Sequence, residues 1–281
     1  MRKTGRILSL TLVFVLLLTL FASCKKAPEQ ETKTTTNPIS QSETKDKSTS
    51  STQTEPTTEK TTAKPSTNPS TQPPSKPTSN GQKLVALTFD DGPSKHTRHL
   101  IEELNKRGAK ATFFMVGKNV ASFDQTVKFM SDSGHQLGNH TFDHKNIKKL
   151  SMDEFLNQIN KTDDAVMKAC GKKTTAFRPP EGANDSEKYQ RIDKTITYWS
   201  VDPLDWKNRD TALVKSRVLS KVKDGSIILL HDLYPTSVQA AIEIVDELQK
   251  QGYKFVTVNE LIQRDGRKIN PHEVYFSAVP K

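Results

Sequence analysis

Residues 84–93 read Leu-Val-Ala-Leu-Thr-Phe-Asp-Asp-Gly-Pro, an apolar stretch that runs directly into two carboxylates and a turn. A continuous apolar run of this length predicts a strand buried on both faces, as in a parallel sheet. The run Ile227-Ile228-Leu229-Leu230 has the same character and ends in His231. Both stretches therefore predict parallel strands that carry polar, chemically useful side chains at their carboxyl ends.

Between and after these two runs, predicted strands alternate with predicted helices. We expect strands at residues 84–89, 111–116, 135–138, 175–178, 197–201, 227–230 and 255–258, and helices at residues 96–106, 120–131, 152–170, 213–222 and 237–251. Strands that alternate with helices of about 10–15 residues indicate α/β architecture. Polar residues recur just after the strands, where a parallel barrel has its active site.

The chain before residue 83 has a different character. Residues 1–23 begin with basic residues and continue with an apolar run, which predicts a secretory signal peptide. A retained transmembrane anchor is the alternative, although the run is short for a bilayer core that needs roughly 20 helical residues. Phe21-Ala22-Ser23-Cys24 resembles a bacterial lipobox, which implies that Cys24 is lipidated and anchors the protein to the membrane.

Residues 24–82 are rich in Thr, Ser and Pro, and Ile39 is the only large apolar residue between Lys25 and Asn80. Such a segment buries too little apolar surface to offset the entropy of ordering it. We therefore predict a lipidated, disordered tether at 24–82, a globular domain at 83–264 and a tail at 265–281.

Composition excludes some classes of function. The formal net charge is +10, but acidic and basic residues are mixed after residue 83, and no concentrated basic stripe indicates nucleic-acid binding. The chain has two cysteines, so an exported form that uses Cys24 for lipid has no disulfide framework. We expect Cys170 to be a small core residue and the protein to be a monomer.

Three side chains have the chemistry of a metal site. His140 and His144 are four residues apart, so a helical turn would place both imidazoles on one face. The segment Asp90-Asp91-Gly92-Pro93 adds a carboxylate at a strand end, although these residue types also favour turns and helix caps. One carboxylate and two imidazoles leave room for water and substrate on a hydrolytic metal, and the same set also occurs in iron oxygenases.

Five segments, in this order, resemble the five motifs of the polysaccharide deacetylases, the nodulation-deacetylase-like carbohydrate esterases. They are Thr88-Phe89-Asp90-Asp91-Gly92-Pro93, His140-Thr141-Phe142-Asp143-His144, Arg178-Pro179-Pro180, Asp202-Pro203-Leu204-Asp205-Trp206 and Leu229-Leu230-His231. The resemblance covers about residues 83–262. It implies an α/β fold, a distorted (β/α) barrel with fewer than eight complete repeats, preceded here by the disordered linker.

The resemblance also implies a role for each matching residue. Asp91, His140 and His144 would bind a divalent metal, usually zinc and sometimes cobalt. The other roles are Asp90 as general base, His231 as general acid, Arg178 as the partner of Asp90, Asp205 as the partner of His231, and Trp206 and Leu229 as walls of the acetyl pocket. Family members commonly have an aromatic residue where this chain has Glu181, and we expect Glu181 to contact a polar or cationic part of the substrate.

A tether outside the membrane would reach wall glycan first, so we expect removal of N-acetyl groups from peptidoglycan. N-acetylglucosamine is the expected sugar, and muramic acid remains an alternative. The family also includes deacetylases of chito-oligosaccharides and of acetylated xylan. A catalytically inactive glycan-binding module is a further alternative, against which the intact set of acidic and histidine residues argues.

Overall fold

The computed structural model describes residues 81–279. The predicted signal peptide, the lipidated Cys24 and nearly all of the predicted tether lie outside the described residues. Within this part of the chain, no helix is both long and apolar enough to cross a bilayer.

The described residues form one sheet of eight strands. They are β1 (Lys83–Asp90), β2 (Ala111–Met115), β3 (Gln136–Asn139), β4 (Ala176–Phe177), β5 (Thr195–Thr197), β6 (Ile227–His231), β7 (Tyr253–Phe255) and β8 (Val274–Tyr275). The strand order is β6-β1-β2-β3-β4-β5-β8, and β7 pairs with β1. All of these strand pairs are parallel.

The sheet closes into a distorted barrel beyond the end of β5. Val201 forms a parallel bridge with Ile228 of β6, and Leu229 donates its backbone N–H to the Val201 carbonyl at 2.9 Å. Several strands have only two or three residues, so the repeats are incomplete. The prediction of an α/β distorted barrel with fewer than eight complete repeats is confirmed.

Helices connect the strands and cover the outside of the sheet. They are α1 (Thr97–Lys106), α2 (Gly117–Val120), α3 (Asp124–Asp132), α4 (Met152–Cys170), α5 (Ser186–Tyr189), α6 (Asp205–Asn208), α7 (Thr211–Leu219), α8 (Pro235–Lys250) and α9 (Val258–Ile262). Helix α4 has clear local signals at both ends. Ser151 and Glu154 form a capping box, and Gly171 ends the helix with φ 74°, a conformation that favours glycine.

Clusters of buried apolar side chains fix the strands and helices relative to one another. Phe89 and Phe113 stack with ring centroids 5.1 Å apart between β1 and β2, and both are buried. The apolar face of α8, including Val245, packs against the same core. The same cluster includes Leu100 of α1 and Leu230 of β6, so it joins the sheet to the helices outside it.

The structure corrects three local predictions. The segment expected as a strand at 255–258 is instead the end of β7 and the beginning of α9, because Thr257 and Glu260 form a capping box. The helix expected at 120–131 is divided, with a 3₁₀ turn at Ala121–Phe123 before α3. The strand expected at 197–201 is β5 at 195–197, followed by the single bridge at Val201.

Candidate active site

The carboxyl ends of the strands surround a cavity of about 490 Å³. Among the residues that line it are Asp90, Asp91, His140, His144 and His231. Strand register explains part of this convergence, since Asp90 of β1 lies opposite His231 of β6. Residues that are distant in sequence therefore meet because their strands end at one edge of the sheet.

Asp91, His140 and His144 form a group whose potential ligand atoms all lie within 4.8 Å of one another. Asp91 Oδ1 is 3.1 Å from His144 Nε2 and 3.5 Å from His140 Nε2. This oxygen is buried and has no hydrogen-bond partner of normal geometry. A buried carboxylate oxygen beside two imidazole nitrogens fits a divalent cation bound by two nitrogens and one oxygen.

Hydrogen bonding orients one of these imidazoles for metal binding. His140 Nδ1 lies 2.7 Å from the Arg178 carbonyl oxygen, to which it donates when it carries the proton. That arrangement leaves Nε2 of His140 facing Asp91, where a cation would bind. Metal-binding histidines usually donate from their other ring nitrogen, here Nδ1, to a backbone carbonyl or a carboxylate.

The charges of this group are strongly coupled. Burial raises the pKa of Asp91, but the adjacent His140 and His144 outweigh burial and hold the pKa well below its ordinary range. The adjacent Asp91 carboxylate raises the pKa of His144. Asp91 is therefore an anion at neutral pH, as a metal ligand must be.

A loop, not a helix, brings the two histidines together. The prediction of a helical turn across His140 and His144 is wrong, since this segment is irregular and both Thr141 (φ 63°) and His144 (φ 58°) have left-handed backbone. Gln158 of α4 supports the loop, because its Oε1 accepts the backbone N–H groups of Phe142 and Asp143 at 2.9 and 2.8 Å. These non-local hydrogen bonds stabilise a conformation that is locally unfavourable.

Asp90 is paired with a buried arginine. Arg178 is fully buried, and its Nη1 donates to Asp90 Oδ1 at 2.7 Å and to Thr88 Oγ1 at 2.8 Å. Its Nη2 donates to the Tyr198 carbonyl at 2.7 Å. Burial lowers the pKa of Arg178, and Asp90 opposes that shift. The other carboxylate oxygen of Asp90, Oδ2, lies 3.7 Å from His140 Nε2, on the side of the candidate metal site.

His231, on the strand next to Asp90, is paired with a buried aspartate. Its Nδ1 lies 2.9 Å from Asp205 Oδ1, and its backbone N–H donates to Asp205 Oδ2 at 2.9 Å. Burial alone would lower the pKa of His231, but Asp205 raises it to about 9. The imidazole is therefore a cation at neutral pH, and Nε2 is the ring nitrogen left to act in the cavity.

Comparison with known proteins agrees with this geometry. A sequence model described as polysaccharide deacetylase matches residues 78–197. A solved structure titled "T48 deacetylase with substrate" is 42% identical, with a TM-score of 0.67 over 69% of this chain and 97% of that one. The chain belongs to the polysaccharide deacetylase family.

Other members of the polysaccharide deacetylase family are similar over the same region. The peptidoglycan-N-acetylmuramic acid deacetylase PdaC of Bacillus subtilis is 41% identical over 64% of this chain and 39% of its own length. The peptidoglycan-N-acetylglucosamine deacetylase PgdA of Listeria monocytogenes is 40% identical over 69% of this chain and 41% of its own. The chain thus spans about two fifths of the length of these curated relatives.

A family 4 acetyl xylan esterase from Clostridium thermocellum, solved in complex with a cobalt ion, is also similar. It is 33% identical, with a TM-score of 0.65 over 69% of this chain and 98% of that one. The family thus contains a member with a transition-metal ion, which is consistent with the nitrogen and oxygen ligands available here.

The remaining predicted residues of this family member lie at the wall and mouth of the cavity. Leu229 is buried in its wall, and Trp206, on α6, is 48% exposed. Glu181 is exposed at the mouth, has left-handed backbone (φ 59°), and accepts a hydrogen bond from Asn146 Nδ2 at 2.7 Å. Arg178 and Asp205 are not among the lining residues; each lies behind the lining residue with which it pairs.

Sequence reasoning missed some lining residues, notably Trp199 and Tyr234. Tyr234 comes three positions after His231, so its place after a strand end was an available signal. Trp199 comes two positions after the end of β5 and was assigned to a strand. Asp202, which also lines the cavity, belongs to the fourth motif and was expected after a strand end, but it was given no role.

Proposed function

We propose that this chain is a metal-dependent hydrolase that removes N-acetyl groups from peptidoglycan, with N-acetylglucosamine as the sugar. The observation that carries the proposal is the meeting of Asp90, Asp91, His140, His144 and His231 around one cavity. The names of the Bacillus and Listeria relatives support the choice of polymer. We further propose that Cys24 is lipidated and anchors the chain to the outer face of the cytoplasmic membrane. The tether would then carry the domain from the membrane into the wall.

The role of the metal follows from its candidate ligands. Asp91, His140 and His144 would hold a divalent cation, zinc or cobalt, that polarises the amide carbonyl and activates a water molecule for attack. The protein then has to supply a base for the water, an acid for the leaving nitrogen and a donor for the developing oxyanion.

Asp90 is suited to be the base. Its Oδ1 is held by Arg178, while Oδ2 remains on the side of the candidate metal site. The Arg178 guanidinium holds Oδ1 and so orients the carboxylate, which leaves Oδ2 to accept the proton as water attacks the acetyl carbonyl. General bases positioned in this way contribute about 10²–10⁴-fold to rate.

His231 is suited to be the acid. Asp205 keeps its imidazole protonated and holds Nδ1, so Nε2–H donates its proton to the departing amine nitrogen as the carbon–nitrogen bond breaks. The products are acetate and a free amino group on the sugar. The backbone N–H of Glu181 would donate to the oxyanion, a contribution of about 3 kcal/mol for a well-placed donor.

The cavity wall has apolar surface suited to the methyl group of an acetyl substrate. Leu229 and Trp206 provide apolar surface for a methyl group. At the mouth, the Glu181 carboxylate replaces the aromatic wall that is common in the family, and we propose that it contacts a polar or cationic part of the glycan. Glu181→Tyr should then change the substrate profile, and an unchanged profile would remove this assignment.

The decisive experiment measures acetate release by the purified protein from wall glycan and from chito-oligosaccharides. Each substrate is tested with a chelator, with added zinc or cobalt, and with Asp90→Asn as the control for catalysis. Activity on wall glycan that chelator abolishes and metal restores is expected. Activity on chito-oligosaccharides alone would replace the wall substrate, and no acetate release with metal supplied would indicate a binding module.

A further inference from the structure

The buried carboxyl group of Asp232 has no part in the chemistry proposed above. Asp232 follows His231 at the end of β6 and is 1% exposed. Asp232 is the first residue of the turn after β6, and its carboxyl group contacts Thr97 and lies against Gly92. Its surroundings are the connection between β1 and α1, which begins with Asp91.

Three residues of this connection contact Asp232: Thr97, Ser94 and Gly92. Thr97 Oγ1, at the start of α1, donates a short hydrogen bond to Asp232 Oδ2. Ser94 Oγ donates to the Asp232 carbonyl oxygen at 2.6 Å. Ser94 and Thr97 are also joined to each other, since the backbone N–H of Ser94 donates to Thr97 Oγ1 at 2.7 Å. The remaining oxygen, Asp232 Oδ1, is buried and has no hydrogen-bond partner among the described residues.

The third contact is the backbone of Gly92. A Cβ atom built on Gly92 would lie 2.3 Å from Asp232 Oδ1 and 2.5 Å from Oδ2. Such separations are far inside van der Waals contact, so the Gly92 backbone lies against the carboxyl group and leaves no room for a side chain. Gly92 is therefore a site where glycine is required by a close approach.

The same turn is held from its other side by residues after β2. Gly92 O accepts the backbone N–H of Val116 at 2.8 Å, and Asp91 O accepts Asn119 Nδ2 at 3.0 Å. Asp91 has left-handed backbone, with φ 69°. A non-glycine residue in this conformation persists where surrounding contacts determine it, and Asp232 provides the contact on the β6 side.

We propose that Asp232 is a positioning residue that fixes the Asp91-Gly92 turn, and thereby holds the Asp91 carboxylate where it meets His140 and His144. The inference rests on the proposed function, because it assigns Asp232 a role toward the metal ligands. It also links two parts of the site, since His231 lines the cavity and the next residue, Asp232, contacts the turn that carries Asp91.

The test measures zinc affinity by competition with a chromogenic chelator, and the visible spectrum of the cobalt-substituted protein. Groups that orient metal ligands typically change affinity about 10–100-fold when removed, and we expect a loss in that range for Asp232→Ala. Asp232→Asn keeps the planar shape and an oxygen for Thr97, so it should recover most of the lost affinity. Thr97→Val should weaken zinc binding about tenfold.

Thr257→Val is the matched control. Thr257 also donates its hydroxyl hydrogen to a carboxylate, that of Glu260, at 2.9 Å, and both residues line a separate cavity beside Gln136, the first residue of β3. This variant should lower the melting temperature as Thr97→Val does while its zinc affinity and cobalt spectrum stay those of the wild type. If Asp232→Ala does not fold, the comparison of Thr97→Val with Thr257→Val decides whether Asp232 positions Asp91.

The inference is overturned if Asp232→Ala or Thr97→Val folds and binds zinc within about twofold of the wild type, well below the change that loss of such a group causes. That result would leave the proposed function intact, provided that the wild type binds zinc and releases acetate. A wild-type protein that binds neither zinc nor cobalt would overturn the proposed function and this inference together.

Discussion

The pairing of His231 with Asp205 makes a quantitative prediction for Asp205→Asn. Asp205 accepts from both the Nδ1 side of the ring and the backbone N–H of His231. An asparagine that keeps its oxygen on the backbone N–H must turn its amide NH₂ toward Nδ1. The ring nitrogen then becomes an acceptor, which favours the neutral imidazole, and the negative charge is lost as well.

The magnitude follows from the change in the pKa of His231. In the wild type Asp205 raises this pKa to about 9. Without the carboxylate, burial should bring the pKa to about 6.5 or below. At pH 7.5 the protonated fraction of His231 then falls from nearly complete to about one tenth, so kcat should fall about tenfold. Near pH 6 most of this loss should disappear, because both forms are then largely protonated.

The assay is the pH dependence of kcat for acetate release, together with an NMR titration of the His231 ring nitrogens in metal-free protein. The kcat of the wild type should decline as pH rises through about 9. The kcat of Asp205→Asn should begin to decline at a pH at least two units lower, because His231 then lacks the carboxylate that raises its pKa. Superimposable high-pH limbs in the two proteins would refute the assignment of His231 as the acid whose proton Asp205 maintains.

The same pKa has a consequence for stability. A group whose pKa is raised on folding stabilises the protein at pH values below its unfolded pKa, and that contribution is lost as pH rises through the folded pKa. For His231 the window runs from about 6.5 to about 9. The shift corresponds to about 3 kcal/mol. The free energy of unfolding of the metal-free protein should therefore decline across this range, and much less in Asp205→Asn.

Three further predictions follow from the other pairs in the site. Asp90→Asn should lower kcat by about 10²-fold or more while zinc affinity stays near that of the wild type, whereas Asp91→Asn should lose zinc binding; equal zinc affinities of the two variants in chelator competition would contradict the separation of base and ligand. Arg178→Met should cost about 3–5 kcal/mol in urea unfolding, because it leaves Asp90 buried without its partner, and a loss below about 1 kcal/mol, the scale of an exposed pair, would contradict that reason. Zinc at 100 times its dissociation constant should stabilise the wild type by about 2.7 kcal/mol, and a similar gain in Asp91→Asn would place the metal elsewhere.

The sequence predicted the barrel because its signals are local. Apolar runs such as 84–89 and 227–230 are each confined to one strand, and helix α4 begins and ends at a capping box and a glycine. The misplaced last strand also had a local signal, since Thr257 and Glu260 have the spacing of a capping box. The strand expected at 255–258 was therefore a misinterpretation of a helix start that the sequence itself indicates.

The conformation of the loop at 140–144 could not be predicted in the same way. The spacing of His140 and His144 suits a helix, but the loop is held by Gln158, which lies in α4. Likewise, the contact between Asp232 and Gly92 depends on the pairing of β6 with β1. Such contacts join residues that are distant along the chain, so they become visible only when strand register and helix packing are known.

Strand register also connects the fold to the proposed mechanism. Asp90 and His231 are partners on adjacent parallel strands, which lie about 4.8 Å apart, so the proposed base and the proposed acid face one cavity from neighbouring positions. A slip of one residue between β1 and β6 would turn the His231 side chain away from the cavity. The register that brings the proposed base and acid to one cavity also places Asp232 against the turn that carries Asp91. The proposed catalytic geometry and the proposed support of Asp91 therefore depend on one pair of strands.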